Sequence, residues 1–127
     1  MNHPALQVWL VDDDASIRWV LERALRNASM QPTTFDAAEP ALTALRARTP
    51  DVLITDVRMP WMTGFQVALS ARNSGLGIPI IIVTAFPDDA LRAQVDHLGS
   101  AVLLAKPFRP EELLSLVRAR LPAVATA

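Results

Sequence analysis

Five short apolar runs, Gln7–Val11, Gln31–Phe35, Val52–Thr55, Ile78–Thr84 and Ala101–Ala105, alternate with stretches of helical periodicity along the chain. This alternation constrains the fold more than any other feature. Four of the runs are near-continuous in Val, Ile and Leu, the pattern of strands buried on both faces. The second, QPTTF, is polar and holds Pro32, which belongs at a sheet edge because proline cannot donate to a ladder. Between the runs, Ile17, Val20, Leu21, Ala24, Leu25 and Ala28 repeat at helix spacing, with Arg18, Glu22, Arg23 and Arg26 on the other side. Asp36 and Glu39 stand at capping-box spacing, followed by Ala38, Ala41, Leu42 and Leu45 on one face. Gly64 opens a third helix with an apolar side of Phe65, Ala68 and Leu69. A fourth helix, near Pro87–Leu98, has a thin stripe of Leu91, Val95 and Leu98. Pro110 starts a fifth, with Leu113, Leu116, Val117 and Leu121 inward. Strand then helix, five times over, predicts an α/β domain with helices on both faces of a parallel sheet. Right-handed crossovers and a polar second strand at the edge predict a flavodoxin-like, doubly wound (βα)5 fold with strand order 2-1-3-4-5.

A chain of 127 residues, 51% hydrophobic, is the right size for a single domain with its own core, expected over residues 1–121. Residues 122–127 lack charge and pattern and read as the start of a linker or disordered tail. Net charge is −1 and no basic stripe invites nucleic acid. Without cysteine there is neither a disulfide framework nor a thiolate metal site. The N-terminus lacks a basic region before its apolar run, and the run near Ile78–Val83 is too short to span a bilayer, so a cytoplasmic domain without membrane contact is expected.

Ligands of open α/β sheets bind beyond the carboxyl ends of the strands. There, Asp12, Asp13 and Asp14 follow the first run, Asp56 follows the third, Thr84 ends the fourth and Lys106 follows the fifth. Several carboxylates in one place repel one another, and one ammonium offsets only part of their charge. A divalent cation resolves the repulsion, and oxygen ligands suit Mg²⁺ (or Mn²⁺). Such a metal readies a site for a phosphoryl group, with Asp56 as nucleophile and Thr84 and Lys106 on the phosphoryl oxygens. Lys106 is the single lysine among 12 basic residues. A compact ammonium on a flexible stem answers a different need from a planar guanidinium. Taken one by one, these residues have plainer roles: Asp14 serves equally well as a helix cap, Thr84 as a strand end, Lys106 as a surface lysine and Asp56 as a turn residue. The agreement of four strand ends favours the joint reading.

The motifs VDDD at Val11–Asp14, DVRMPWMTG at Asp56–Gly64, VTA at Val83–Ala85 and KPF at Lys106–Phe108 resemble those of response-regulator receiver domains. The first helix, DDDASIRWVLERAL, resembles in particular the receivers of nitrogen-regulation (NtrC-type) transcriptional activators. The resemblance implies a switch that takes a phosphoryl group from a partner sensor histidine kinase, with Mg²⁺, and catalyses its own phosphorylation and dephosphorylation. Asp56 matches the phosphoacceptor, Asp13 the direct metal ligand and Asp12 its water-mediated neighbour. Arg58 would lend its backbone carbonyl to the metal, and Thr84 and Lys106 would grip the phosphoryl group. The resemblance also implies a cis bond at Lys106–Pro107, downstream output domains or proteins that regulate transcription, and a homodimer through the fourth helix, fifth strand and fifth helix. Arg58 and Phe86 would flank the mouth of the site and tune the phosphoryl lifetime. Family members carry Tyr or Phe three residues before the lysine as a switch; here Leu103 stands there, and the chain has no tyrosine. Output is therefore expected to rest more on the fourth helix, whose thin stripe implies low local stability. Trp61 either lies near the site or covers its loop as a surface aromatic.

Other readings fit less well. A receiver-like interaction module that has lost phosphorylation would not need the full set of acids, threonine and lysine. A flavin-binding relative would place a Ser/Thr/Gly-rich loop after the first strand, where three aspartates would repel phosphate. A haloacid-dehalogenase-type hydrolase wants Asp-x-Asp, whereas Asp56 is followed by Val57-Arg58. His3 and His97 stand at no strand end, and Gly75-Leu-Gly77 reads as a turn.

Overall fold

A computed structural model describes residues 5–57 and 64–120. The elements alternate as expected: β1 (Gln7–Val11), α1 (Ala15–Asn27), β2 (Gln31–Phe35), α2 (Ala38–Ala47), β3 (Val52–Asp56), α3 (Gly64–Asn73), β4 (Ile80–Thr84), α4 (Asp89–Leu98), β5 (Ala101–Ala105) and α5 (Pro110–Arg120). All four strand pairings are parallel, and the order is β2-β1-β3-β4-β5. No helix among the described residues is long and apolar enough to cross a membrane.

Alternate side chains of the strands feed two separate cores. Trp9, Val11, Leu53, Ile80 and Ile82 meet Ala38 and Ala41 of α2, Val67, Ala68 and Ala71 of α3, and Leu91 and Val95 of α4. On the other face, Val8, Leu10, Val52, Ile54, Ile81 and Val83 meet Leu21 and Leu25 of α1 and Leu113 and Val117 of α5. Burial on both faces explains why β3 and β4 are apolar almost throughout. At the far edge, β5 is only half-buried, with Ala101 and Leu103 packed against one core and Val102 and Leu104 against the other.

Four details differ from the expectations drawn from the sequence. Asp36 does not cap α2: Ala37 takes that position, extended at φ −155°, without a side-chain bond. In α3 Val67, Ala68 and Ala71 are buried and Phe65 packs against the same core, while Leu69 is 40% exposed. The helix begins hard against β3, because a Cβ on Gly64 would collide with the Asp56 carbonyl. Val20 of α1 also lies outward, 45% exposed, although its spacing matched the apolar stripe. The β4 run begins two residues later than its apolar pattern, at Ile80. The predicted inward Leu121 and the predicted tail over residues 122–127 lie outside the described residues.

Candidate functional site

The strand register sets Asp56 level with Val83, and Thr84 level with Ala105. The polar residues that follow β1, β3, β4 and β5 consequently share one end of the sheet. Asp12 is 2% exposed, and its amide donates to the Phe35 carbonyl at 3.0 Å. Its Oδ1 accepts from the Asp14 amide at 2.9 Å. Asp13 is exposed. Asp14 is the cap of α1: its Oδ1 accepts from the amides of Ser16 at 2.9 Å and Ile17 at 3.2 Å, which resolves its two readings in favour of the cap.

Asp56 is 6% exposed. Its backbone is braced by the Thr55 hydroxyl, which lies 3.3 Å from the Asp56 carbonyl and 3.2 Å from that of Gly64. The Lys106 ammonium lies 2.7 Å from Asp56 Oδ2 and 3.5 Å from Asp12 Oδ2. Behind it the Lys106–Pro107 bond is cis, as expected. The Lys106 amide donates to the Thr84 carbonyl at 2.7 Å, tying the two strand ends together. Thr84 is buried, and its hydroxyl oxygen accepts from the Phe86 amide at 3.0 Å. That contact leaves the hydroxyl hydrogen available to donate elsewhere.

Carboxylate oxygens of Asp12, Asp13 and Asp56 lie within 4.8 Å of one another. Burial pushes the Asp12 pKa above the ordinary carboxylate range; the Asp14 amide and Lys106 oppose this, while the charge of Asp56 adds to it. For Lys106, burial alone would pull the ammonium down. Its hydrogen bond to Asp56 and the charges of Asp12 and Asp56 outweigh burial and hold it above the usual lysine value. Three converging carboxylates against one ammonium, with one acid already short of solvation, fit a small hard cation with oxygen ligands.

Phe86 is 59% exposed, and Leu103 is half-buried against the core that contains α4. Arg58 and Trp61 lie outside the described residues, so the carbonyl ligand and the loop aromatic are not placed. Two features escaped the sequence. A cleft of about 550 Å³ runs beside Lys106 between Ile17, Val20 and Leu21 on one side and Pro107 and Phe108 on the other. Arg18, placed by periodicity on the outer side of its helix, instead turns back and donates to the Asp12 carbonyl at 2.8 Å. Hydrophobic spacing carries no sign of either.

A family model for the response regulator receiver domain matches residues 8–118. The DNA-binding transcriptional regulator NtrC of Salmonella typhimurium is 44% identical over 110 residues, covering 87% of this chain and 24% of that protein. The chain thus spans about a quarter of the length of that relative. The transcriptional regulatory protein TdiR of Thauera aromatica is 35% identical over 117 residues, covering 92% of this chain and 52% of that one. Among solved structures, the beryllofluoride-activated receiver domain of NtrC superposes with a TM-score of 0.81 at 41% identity, covering 93% of this chain and 95% of that one. The Vibrio cholerae chemotaxis protein CheY4 gives 0.85 at 31% identity, covering 93% and 100%.

Proposed function

The chain belongs to the response regulator receiver domain family, and from that premise we propose that it accepts a phosphoryl group on Asp56 from the phosphohistidine of a sensor kinase. The observation that carries the reading is the Lys106 ammonium, 2.7 Å from Asp56 Oδ2 within a group of three carboxylates. A carboxylate oxygen of Asp56 forms the new O–P bond as the P–N bond to the donor imidazole breaks. The imidazole nitrogen keeps the electron pair. Lys106, already on Asp56, follows the charge onto a phosphoryl oxygen, while the Thr84 hydroxyl donates to another. Transfer of this kind depends on positioning and charge neutralisation, which fixed groups at four strand ends supply.

Asp12, Asp13 and Asp56, with the carbonyl of Arg58, would hold Mg²⁺ (or Mn²⁺). When bound, the cation neutralises charge that builds up on the phosphoryl oxygens. Asp13, exposed, is suited to a direct contact, and the buried Asp12 to one through water. The similarity to NtrC and TdiR supports a switch whose output is transcription, through a domain outside this chain and by way of α4, β5 and α5.

The test is fluorescence of the native tryptophans during titration with Mg²⁺ and then with beryllofluoride, in the natural protein and in Asp56→Asn. The expected result is a saturable Mg²⁺ response followed by a beryllofluoride response that disappears in Asp56→Asn. Calorimetric absence of Mg²⁺ binding in the natural protein would favour a phosphorylation-independent interaction module instead.

A further inference from the structure

We infer that Arg18 is a positioning residue for the Asp13 carboxylate, holding the peptide that precedes it so that the cation site is set before any cation arrives. The inference rests on the proposed metal site. Arg18 lies on α1, one turn beyond the cap, and its Nη1 donates to the Asp12 carbonyl at 2.8 Å. That carbonyl belongs to the peptide joining Asp12 to Asp13. The next peptide, joining Asp13 to Asp14, is held through its amide by Asp12 Oδ1 at 2.9 Å. Asp13 is therefore gripped on both flanks although its own side chain is exposed.

The other two acids do not need this help. Asp12 continues the β1 ladder through its amide bond to the Phe35 carbonyl, and Asp56 ends the central strand. Asp13 alone stands in a loop. Its oxygens nevertheless lie within 4.8 Å of those of Asp12 and Asp56. Holding like charges together opposes their repulsion, so some group must restrain the loop. A guanidinium does this through a charge-assisted bond to the Asp12 carbonyl, stronger than a neutral one. Outer groups that orient metal ligands commonly govern affinity by tenfold or more.

Arg18 is also a cation close to a cation site, and this gives the test a sign. If charge alone mattered, Arg18→Ala would relieve repulsion and tighten Mg²⁺ binding. If position matters, the same change loosens it. The experiment is calorimetric titration of the whole chain with Mg²⁺, for the natural protein, Arg18→Ala, Arg18→Lys, Asp13→Asn and the double variant Arg18→Ala/Asp13→Asn. Arg23→Ala, on the outer side of α1, is the control. The expected result is affinity about tenfold weaker in Arg18→Ala, a smaller loss in Arg18→Lys, and less than about a twofold further loss when Arg18→Ala is added to Asp13→Asn. Thermal melts accompany each titration. If Arg18→Ala does not fold, Arg18→Lys against the natural protein carries the comparison, because it keeps the charge while changing the reach. Unchanged or tighter binding in a folded Arg18 variant would overturn the inference, as would full additivity with Asp13→Asn. Failure of the natural protein to bind Mg²⁺ would sink the metal-site reading itself, and so is told apart from failure of the Arg18 role.

Discussion

Two residues that touch across the site should respond to substitution with opposite signs. Asp12 is ionised at a cost, because burial outweighs the groups that favour its charge. Its raised pKa means a stability contribution that is complete below the ordinary carboxylate range and is lost as pH rises through the folded value. Asp12→Asn keeps an acceptor for the Asp14 amide and removes the charge. Without metal it should melt above the natural protein at about pH 7, and the advantage should shrink towards zero in acid. Lys106→Met should do the reverse near neutrality, costing about 1–3 kcal/mol because Asp12 and Asp56 lose the one ammonium beside them. Differential scanning calorimetry with chelator present reads both. If Asp56 carries the proposed acyl phosphate, Phe86, exposed two residues after Thr84, shields it; Phe86→Ala should then shorten its half-life, followed by loss of label from Asp56. Strand-end position made it legible in the sequence that Asp12, Asp13, Asp56, Thr84 and Lys106 share one end of the sheet. The side chain of Arg18 was not legible, because its direction follows from a loop that folds back onto its own helix.

Among the elements, α4 is attached through Leu91 and Val95, with Leu98 at its margin. Asp88 caps its start, accepting from the Leu91 amide at 2.8 Å. At its end, Arg72 of α3 reaches the carbonyls of Leu98 at 3.1 Å, Gly99 at 2.7 Å and Ser100 at 3.2 Å. The two ends are thus held by different means, a single cap and a fork of several bonds. Amide exchange in α4 should be faster than in α1, and faster at its first turn than at its last. Asp88→Ala should widen the difference while costing about 1 kcal/mol. Exchange in α4 as slow as in α1 would contradict the low local stability expected of it. The periodicity located α4 within two residues, and the edge position of β2 followed from Pro32. It failed in α3 for Leu69, which lies outward although Phe65 and Ala68 face the core as expected; the helix starts in close backbone contact at Gly64 with Asp56. It failed too at Asp36, where the chain continues one residue further before turning. Spacing records which residues are apolar but not how closely a helix must approach.

For the whole molecule, the sheet divides the interior into two cores with no buried residue in common. Ile81 and Ile82 are covalent neighbours, yet one packs against the α1 and α5 side and the other against α2, α3 and α4. Ile81→Val and Ile82→Val should each cost about 0.5–1.5 kcal/mol. In the double variant the losses should add within roughly 0.5 kcal/mol, measured by urea unfolding; strong coupling would mean the sheet transmits packing strain between its faces. The parallel architecture and its strand order were legible because five apolar runs and four connecting helices leave few right-handed arrangements. The contact between Lys106 and Asp12 spans 94 residues, and that with Asp56 spans 50. During synthesis, then, the acids emerge long before their counter-charge does. A nascent chain stopped short of β5 holds the aspartates without the ammonium that lies beside them, so the proposed phosphoacceptor site is incomplete until the last strand has docked.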